Sequence, residues 1–158
     1  MRIIQSTNEM QTHALALKRQ GNRLGLVPTM GCLHEGHLSL VKLARAQADI
    51  VILSLFVNPT QFGPNEDFDR YPRSFTNDVR LCQNAGVDVL FAPESTGMYN
   101  HDHSVFVEET TLGAGLCGAS RPGHFRGVLT VVAKLFNLCR PDVAIFGQKD
   151  AQQAILIK

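Results

Sequence analysis

No run of one charge sign, no internal repeat, no CxxC pair and no long apolar stretch occurs in the 158 residues, and each absence closes off a class of function. The longest apolar stretch, Ile50 to Val57, is broken by Ser54 and falls far short of the ~20 residues needed to span a bilayer. The opening MRIIQSTNEMQ lacks the roughly seven apolar residues of a signal-peptide core. Neither a targeting segment nor a membrane segment is read. Cys32, Cys82, Cys117 and Cys139 lie far apart, which is neither the framework of a small secreted protein nor a zinc-ribbon spacing, so a reducing cytoplasm is the expected location. Lys plus Arg (15) nearly balance Asp plus Glu (14), and a formal charge of +1 supplies no global field for nucleic acid or an anionic membrane. Any anion site must be local.

What is present suits one globular unit. Hydrophobic residues make up 44 % and charged residues 18 %, which argues against disorder, and the length suffices for a sizeable core. Ser6-Thr7-Asn8-Glu9 reads as a capping box opening a helix with Met10, Ala14 and Leu17 on one face and Gly21 at its end. Leu24 to Val27 reads as a strand stopped by Pro28. HLSLVKLARAQA then places Leu40, Val41, Ala44 and Ala48 at helical spacing, followed by the apolar strand Ile50 to Val57.

The alternation continues. Phe75, Val79 and Cys82 line a helix closed near Gly86, Val87 to Phe91 is a buried strand, and Val105 to Val107 reads as a further short one. Val128, Val131, Val132, Leu135, Leu138 and Cys139 form a helical stripe ended by Pro141, and Val143 to Phe146 is again strand-like. Alternating β and α elements predict an α/β fold with a doubly wound parallel sheet, which binds ligands at the carboxyl ends of its strands. The final KDAQQAILIK reads as a helix barely begun, so a shortened chain is expected over a helix that simply packs on the sheet.

Pro28 to His37 reads PTMGCLHEGH, with Gly31 and Gly36 in the turn and His34 and His37 three apart at the start of a helix. That spacing puts both imidazoles on one face, where free amides and the positive end of the helix dipole attract phosphate. The same residues also fit plain helix capping, and with no third ligand nearby a zinc site is the weaker reading. Residues 121 to 158 hold six Lys or Arg against Asp142 and Asp150, an excess that suits either a polyanion or a solvated basic face.

PTMGCLHEGH resembles the HxGH signature of the nucleotidylyltransferase superfamily, a Rossmann-like fold, and its flanks resemble the pantoate–beta-alanine ligase family within it. LFVNPTQF (Leu55 to Phe62), DRYPR (Asp69 to Arg73), RPGHFRGVLTVVAKLFN (Arg121 to Asn137) and FGQKDAQQ (Phe146 to Gln153) are similar to further blocks of that family, in order. The resemblance implies a ligase that uses ATP with Mg2+ to join pantoate and beta-alanine through a pantoyl adenylate, the metal ligands being unassigned.

It further implies that His34, His37 and Lys149 act on the phosphates, while Met30, Gly31, Gly147 and Asp150 complete the ATP site. Gln61, Gln153 and Met30 would bind pantoate with Arg121 and His124 close by, although those two also suit a surface and a turn position; Asn58 is expected to fix the loop after the second strand, and Tyr71 is a further candidate. Phe62 with Val128, Val131 and Val132 suits either a pantoate wall or plain core, and Asp78 suits either a magnesium-side carboxylate or an ordinary surface helix position. The resemblance also implies a homodimer and a C-terminal lid domain with a serine- and arginine-containing loop that no segment here matches, so the chain is expected to be one N-terminal domain that binds ligands with little turnover. Two other readings stay open: a different nucleotidylyltransferase, or a nucleotide-binding domain without turnover.

Overall fold

A computed structural model describes residues 1–63 and 66–158. Five strands, β1 (Arg2–Ile4), β2 (Leu24–Thr29), β3 (Ile50–Leu55), β4 (Val89–Phe91) and β5 (Val143–Ala144), form one sheet in the order β1-β4-β3-β2-β5. Every pairing is parallel. The helices are α1 (Thr7–Arg19), α2 (Glu35–Arg45), α3 (Phe75–Asn84), α4 (Ser95–Met98), α5 (Cys117–Ser120), α6 (His124–Cys139) and α7 (Ala151–Ile157). No described helix is long and apolar enough to cross a membrane.

Side chains alternate across a strand, so each strand feeds two cores. Leu24, Leu26, Ile52 and Phe91 point to one face, where Met10 and Ala14 of α1 and Val128, Val131, Val132 and Leu135 of α6 cover them. Val27, Val51, Leu53 and Leu90 point to the other, under Val41 and Ala44 of α2 and Cys82 of α3. The near-continuous apolar runs follow from this double burial. Ser6 caps α1 by accepting from the Glu9 amide at 3.3 Å, but the Glu9 carboxylate pairs with Arg2 at 2.9 Å instead of reaching back to complete a capping box.

Three further sequence readings need correction. Pro28 does not stop β2: it lies in the ladder opposite Ser54. The carbonyls of Leu24 and Leu26 face β5, accepting from the Asp142 and Ile145 amides, while that of Thr29 faces β3, accepting from Phe56. Alternation turns the missing N–H of Pro28 toward β5, which has already ended, so no bond is lost. Val105 to Val107 joins no sheet; the Val107 amide instead donates to the Thr130 hydroxyl oxygen of α6 at 3.0 Å. Phe75 opens α3 at the surface, 43 % exposed, and the inward face of that helix is Asp78 and Cys82.

Candidate active site

The loop from β2 to α2 is shaped by one buried acid. Gly31 has φ +89°, a left-handed conformation that glycine adopts without strain, and Cys32 follows at +51°. Asp78, 1 % exposed on α3, holds this turn: its carboxylate accepts the Cys32 amide at 3.0 Å, the Leu33 amide at 2.8 Å and the Ser74 hydroxyl at 3.2 Å. Both oxygens are thus committed to the loop, and Asp78 is neither a surface residue nor an open metal ligand.

The loop delivers two imidazoles to the first turn of α2. His34 is the N-cap, its Nδ1 accepting the Gly36 amide at 3.1 Å, and the His34 amide donates to Nδ1 of His37 at 3.4 Å. An Nδ1 that accepts puts the ring proton on Nε2, so both rings carry an outward Nε2–H donor beside the positive end of the helix dipole. The His37 pKa lies below its ordinary 6.5, chiefly through burial, then through His34, with Lys149 adding to the effect and Asp78 opposing it. His37 is therefore a neutral donor at pH 7. Lys149 lies on an exposed 3-10 turn (Gln148–Asp150) just past β5, the parallel neighbour of β2, and so at the same carboxyl edge of the sheet as the start of α2.

Beyond β3 the chain makes a second tight turn, Pro59–Gln61, capped by Asn58. Gln61 is 9 % exposed; its Oε1 accepts from Asn58 Nδ2 at 3.1 Å and its Nε2 meets Met30 Sδ at 3.1 Å. His124 Nδ1 binds the Gln61 carbonyl at 2.9 Å, and Arg121 reaches His124 Nε2 at 3.0 Å. Because a carbonyl can only accept, His124 donates through Nδ1 and accepts from Arg121, and burial holds its pKa below 6.5. Arg121 also pairs with Glu66 at 2.6 Å, which holds the Glu66 carboxyl down to about 2. The Pro59–Gln61 turn after β3 and the Gln148–Asp150 turn after β5 follow the carboxyl ends of parallel strands and so share that edge of the sheet.

Gly147 opens that turn with Leu40 Cδ1 the nearest atom, 4.0 Å from where a Cβ would be, leaving its backbone approachable. Gln153 sits half-buried on the first turn of α7, with no side-chain hydrogen bond among the described residues. Tyr71 belongs to an aromatic cluster with Phe62 (5.8 Å), itself against Phe68 (5.4 Å), and burial raises its phenol pKa. Val128, Val131 and Val132 are core packing under the sheet, not a ligand wall. A cavity of about 360 Å³ opens beside Met30 and Gly31, running past Leu55 and Phe56 to Ser74 and Glu94, along the carboxyl ends of the strands.

The sequence reading missed several supports. Glu66 pairs with a residue 55 positions away and carries no local signal. Gly127 has one only in hindsight: a Cβ there would lie 2.3 Å from the Thr60 carbonyl oxygen, so α6 can approach the Asn58–Gln61 turn only at glycine. Asp78 and Cys82, four apart and both buried, mark an inward helical face that the pattern did contain.

A parallel doubly wound sheet with the His34–His37 pair capping the helix at its carboxyl edge defines an α/β domain of the HxGH type. Residues 2–158 match the family model described as pantoate-beta-alanine ligase, and the chain belongs to that family. It is 58 % identical to the pantothenate synthetase of Thermotoga neapolitana over 97 % of this chain and 55 % of that protein. It is also 58 % identical to the one from Heliobacterium modesticaldum, over 100 % of this chain and 56 % of that protein. The crystal structure of the Thermus thermophilus pantothenate synthetase superposes with a TM-score of 0.93 at 49 % identity, over 99 % of this chain and 55 % of that one. The Francisella tularensis pantoate-beta-alanine ligase, complexed with beta-gamma ATP and beta-alanine, gives 0.93 at 42 % identity over 99 % and 60 %. The chain thus spans about half the length of the curated relatives it matches.

Proposed function

We propose that the chain binds ATP and pantoate and contributes the nucleotide- and acid-binding half of a ligase that joins pantoate to beta-alanine. The observation that carries this reading is the convergence of His34, His37, Lys149 and Gln61 on one edge of the sheet, past β2, β3 and β5. The triphosphate lies over the first turn of α2. There the two Nε2–H donors and the Lys149 ammonium meet its oxygens, and Gly147 and Asp150 approach the nucleoside. Gln61, with Gln153 from α7 and Met30 beside it, holds the acid.

In the first step a pantoate carboxylate oxygen attacks the α-phosphorus, and the bond to the bridging oxygen breaks to release pyrophosphate and leave pantoyl adenylate. In the second, the free amine of beta-alanine attacks the acyl carbon, AMP leaves, and the amine proton is lost to solvent. Nothing here requires a covalent enzyme nucleophile. The residues act by holding the acid in line with the phosphorus and by placing donors where negative charge gathers. A neutral His37 suits that task, since it donates a hydrogen bond without needing to bind a proton first.

Magnesium would arrive with the nucleotide. Among the described residues no group of three or more His, Cys, Asp or Glu side chains forms a metal site, and both Asp78 oxygens already accept from backbone amides, so no residue of this chain is assigned to the ion. Magnesium characteristically keeps several waters and is held largely by substrate phosphates, which fits that division of labour. We place the protein in the cytoplasm as a homodimer, and we attribute full turnover to a protein of the relatives' whole length. Calorimetry tests the reading: pantoate is expected to bind saturably in the presence of a non-hydrolysable ATP analogue, and Lys149→Ala is expected to weaken the analogue at least about tenfold. Absence of saturable binding of either ligand contradicts it.

A further inference from the structure

The orientation of Asn58 is dictated by the backbone. Its Oδ1 accepts the Thr60 amide at 3.3 Å and its Nδ2 donates to the Gly127 carbonyl at 3.1 Å, two partners whose donor and acceptor roles cannot be exchanged. The remaining Nδ2 hydrogen points at the Gln61 side chain, 3.1 Å away, so the Gln61 atom found there must be the acceptor Oε1. Its Nε2 is thereby turned toward Met30 Sδ. A thioether is a weak acceptor that readily gives way to a ligand oxygen.

Tyr99 completes the lock from outside the site. Its hydroxyl donates to Asn58 Oδ1 at 2.9 Å, joining the Thr60 hydroxyl at 2.9 Å on the same oxygen. The Tyr99 ring is itself held, packed against Phe56 (6.3 Å) and His103 (4.9 Å) with the Lys134 ammonium 5.1 Å from its centre. Asn58 is 1 % exposed and Gln61 9 %, so a flipped amide in either would face a like group with no water to relieve it.

We propose that Tyr99 and Asn58 form a positioning relay that holds Gln61 as a hydrogen-bond donor, so that the small-acid site selects a ligand oxygen that accepts, such as a carboxylate or carbonyl. The proposal rests on the reading of Gln61 as an acid-binding residue and adds to it the direction of the hydrogen bond. Tyr99 touches no ligand; it acts through Asn58.

Two measurements test it. In the ligand-free protein, nuclear Overhauser contacts are expected from the Gln61 Nε2 protons to the Met30 methyl, and they are expected to vanish in Asn58→Asp, which cannot donate. By calorimetry with a non-hydrolysable ATP analogue present, Tyr99→Phe is expected to weaken pantoate and its neutral primary amide alike, about three- to tenfold, with affinity for the analogue unchanged. Gln61→Glu, which presents an acceptor to the ligand, is expected to weaken both by more than about tenfold. The relay is overturned if the wild-type contacts are absent, or if Tyr99→Phe leaves both affinities unchanged. It is also overturned if Gln61→Glu weakens the charged acid alone, since charge repulsion then explains the loss. A wild-type protein that shows the contacts but binds neither acid nor amide overturns the acid-site reading, and the selection with it.

Discussion

His34 and His37 cap one helix together: the His34 amide donates to the His37 ring at 3.4 Å, and the two ring centroids stand 4.2 Å apart. Burial of His37 disfavours its charged ring, and the neighbouring His34 imidazole adds to this. The His37 midpoint, followed by NMR, is expected below 6.5 in the free protein and is expected to rise when ATP is added, because a polyanion favours the charged ring. A midpoint that ATP leaves unmoved contradicts the phosphate role. The sign for stability is opposite to that of a paired histidine. A depressed folded pKa gives a contribution present above 6.5 and lost as pH falls through the lower folded value, so this part of the acid sensitivity is expected to disappear in His37→Asn.

Asp78 is the strut under the signature loop. Asp78→Ala leaves the Cys32 and Leu33 amides without their carboxylate, two lost partners at a buried position. The expected cost is about 3 kcal/mol in urea unfolding, together with weaker ATP binding as the histidine pair loosens. A loss under about 1 kcal/mol would mean that the loop holds its left-handed turn unaided.

Gly127→Ala probes the contact between α6 and the Asn58–Gln61 turn. The added methyl would sit 2.3 Å from the Thr60 oxygen and 2.6 Å from the Gln61 nitrogen, both backbone atoms that cannot rotate away. The expected result is a loss of about 2–4 kcal/mol with a marked fall in pantoate affinity, against little change in ATP affinity. Equal losses for both ligands would show that the turn does not belong to the acid site in particular.

Glu66 offers a titration test of the cluster around His124. Its carboxyl is expected to titrate at about 2, because Arg121 bonds it and the Gly63 amide assists, and to return toward 4.5 in Arg121→Ala. A depressed carboxylate stabilises the fold above 4.5 and loses that contribution as pH falls through about 2, so the pair is expected to survive to well below pH 4.

The parts of this molecule legible in the sequence are those governed by local pattern. The run Ile50 to Val57 announced a strand covered on both faces, Leu24 to Val27 announced a short strand, and the stripe from Val128 to Cys139 announced α6. β1 escaped notice because its three residues, Arg-Ile-Ile, show no period and acquire meaning only against Val89 to Phe91. The opposite error arose at Val105 to Val107, where β-branched and aromatic residues suggest a strand but the partner supplied by the fold is a helix hydroxyl, Thr130. Motif residues such as His34, Gln61 and Lys149 could be named in advance, and so could Asn58 and Asp78, but the partners of those two could not, since Asp78 lies 46 residues from the Cys32 amide it holds and Asn58 lies 69 from the Gly127 carbonyl.

Diffraction from crystals grown with an ATP analogue and pantoate is the most direct test. The expected density places the phosphates over the first turn of α2, within hydrogen-bond reach of His34 Nε2, His37 Nε2 and Lys149 Nζ, and sets an acid oxygen against Gln61 Nε2. An ordered nucleotide bound elsewhere, with those four side chains left facing solvent or one another, would contradict it.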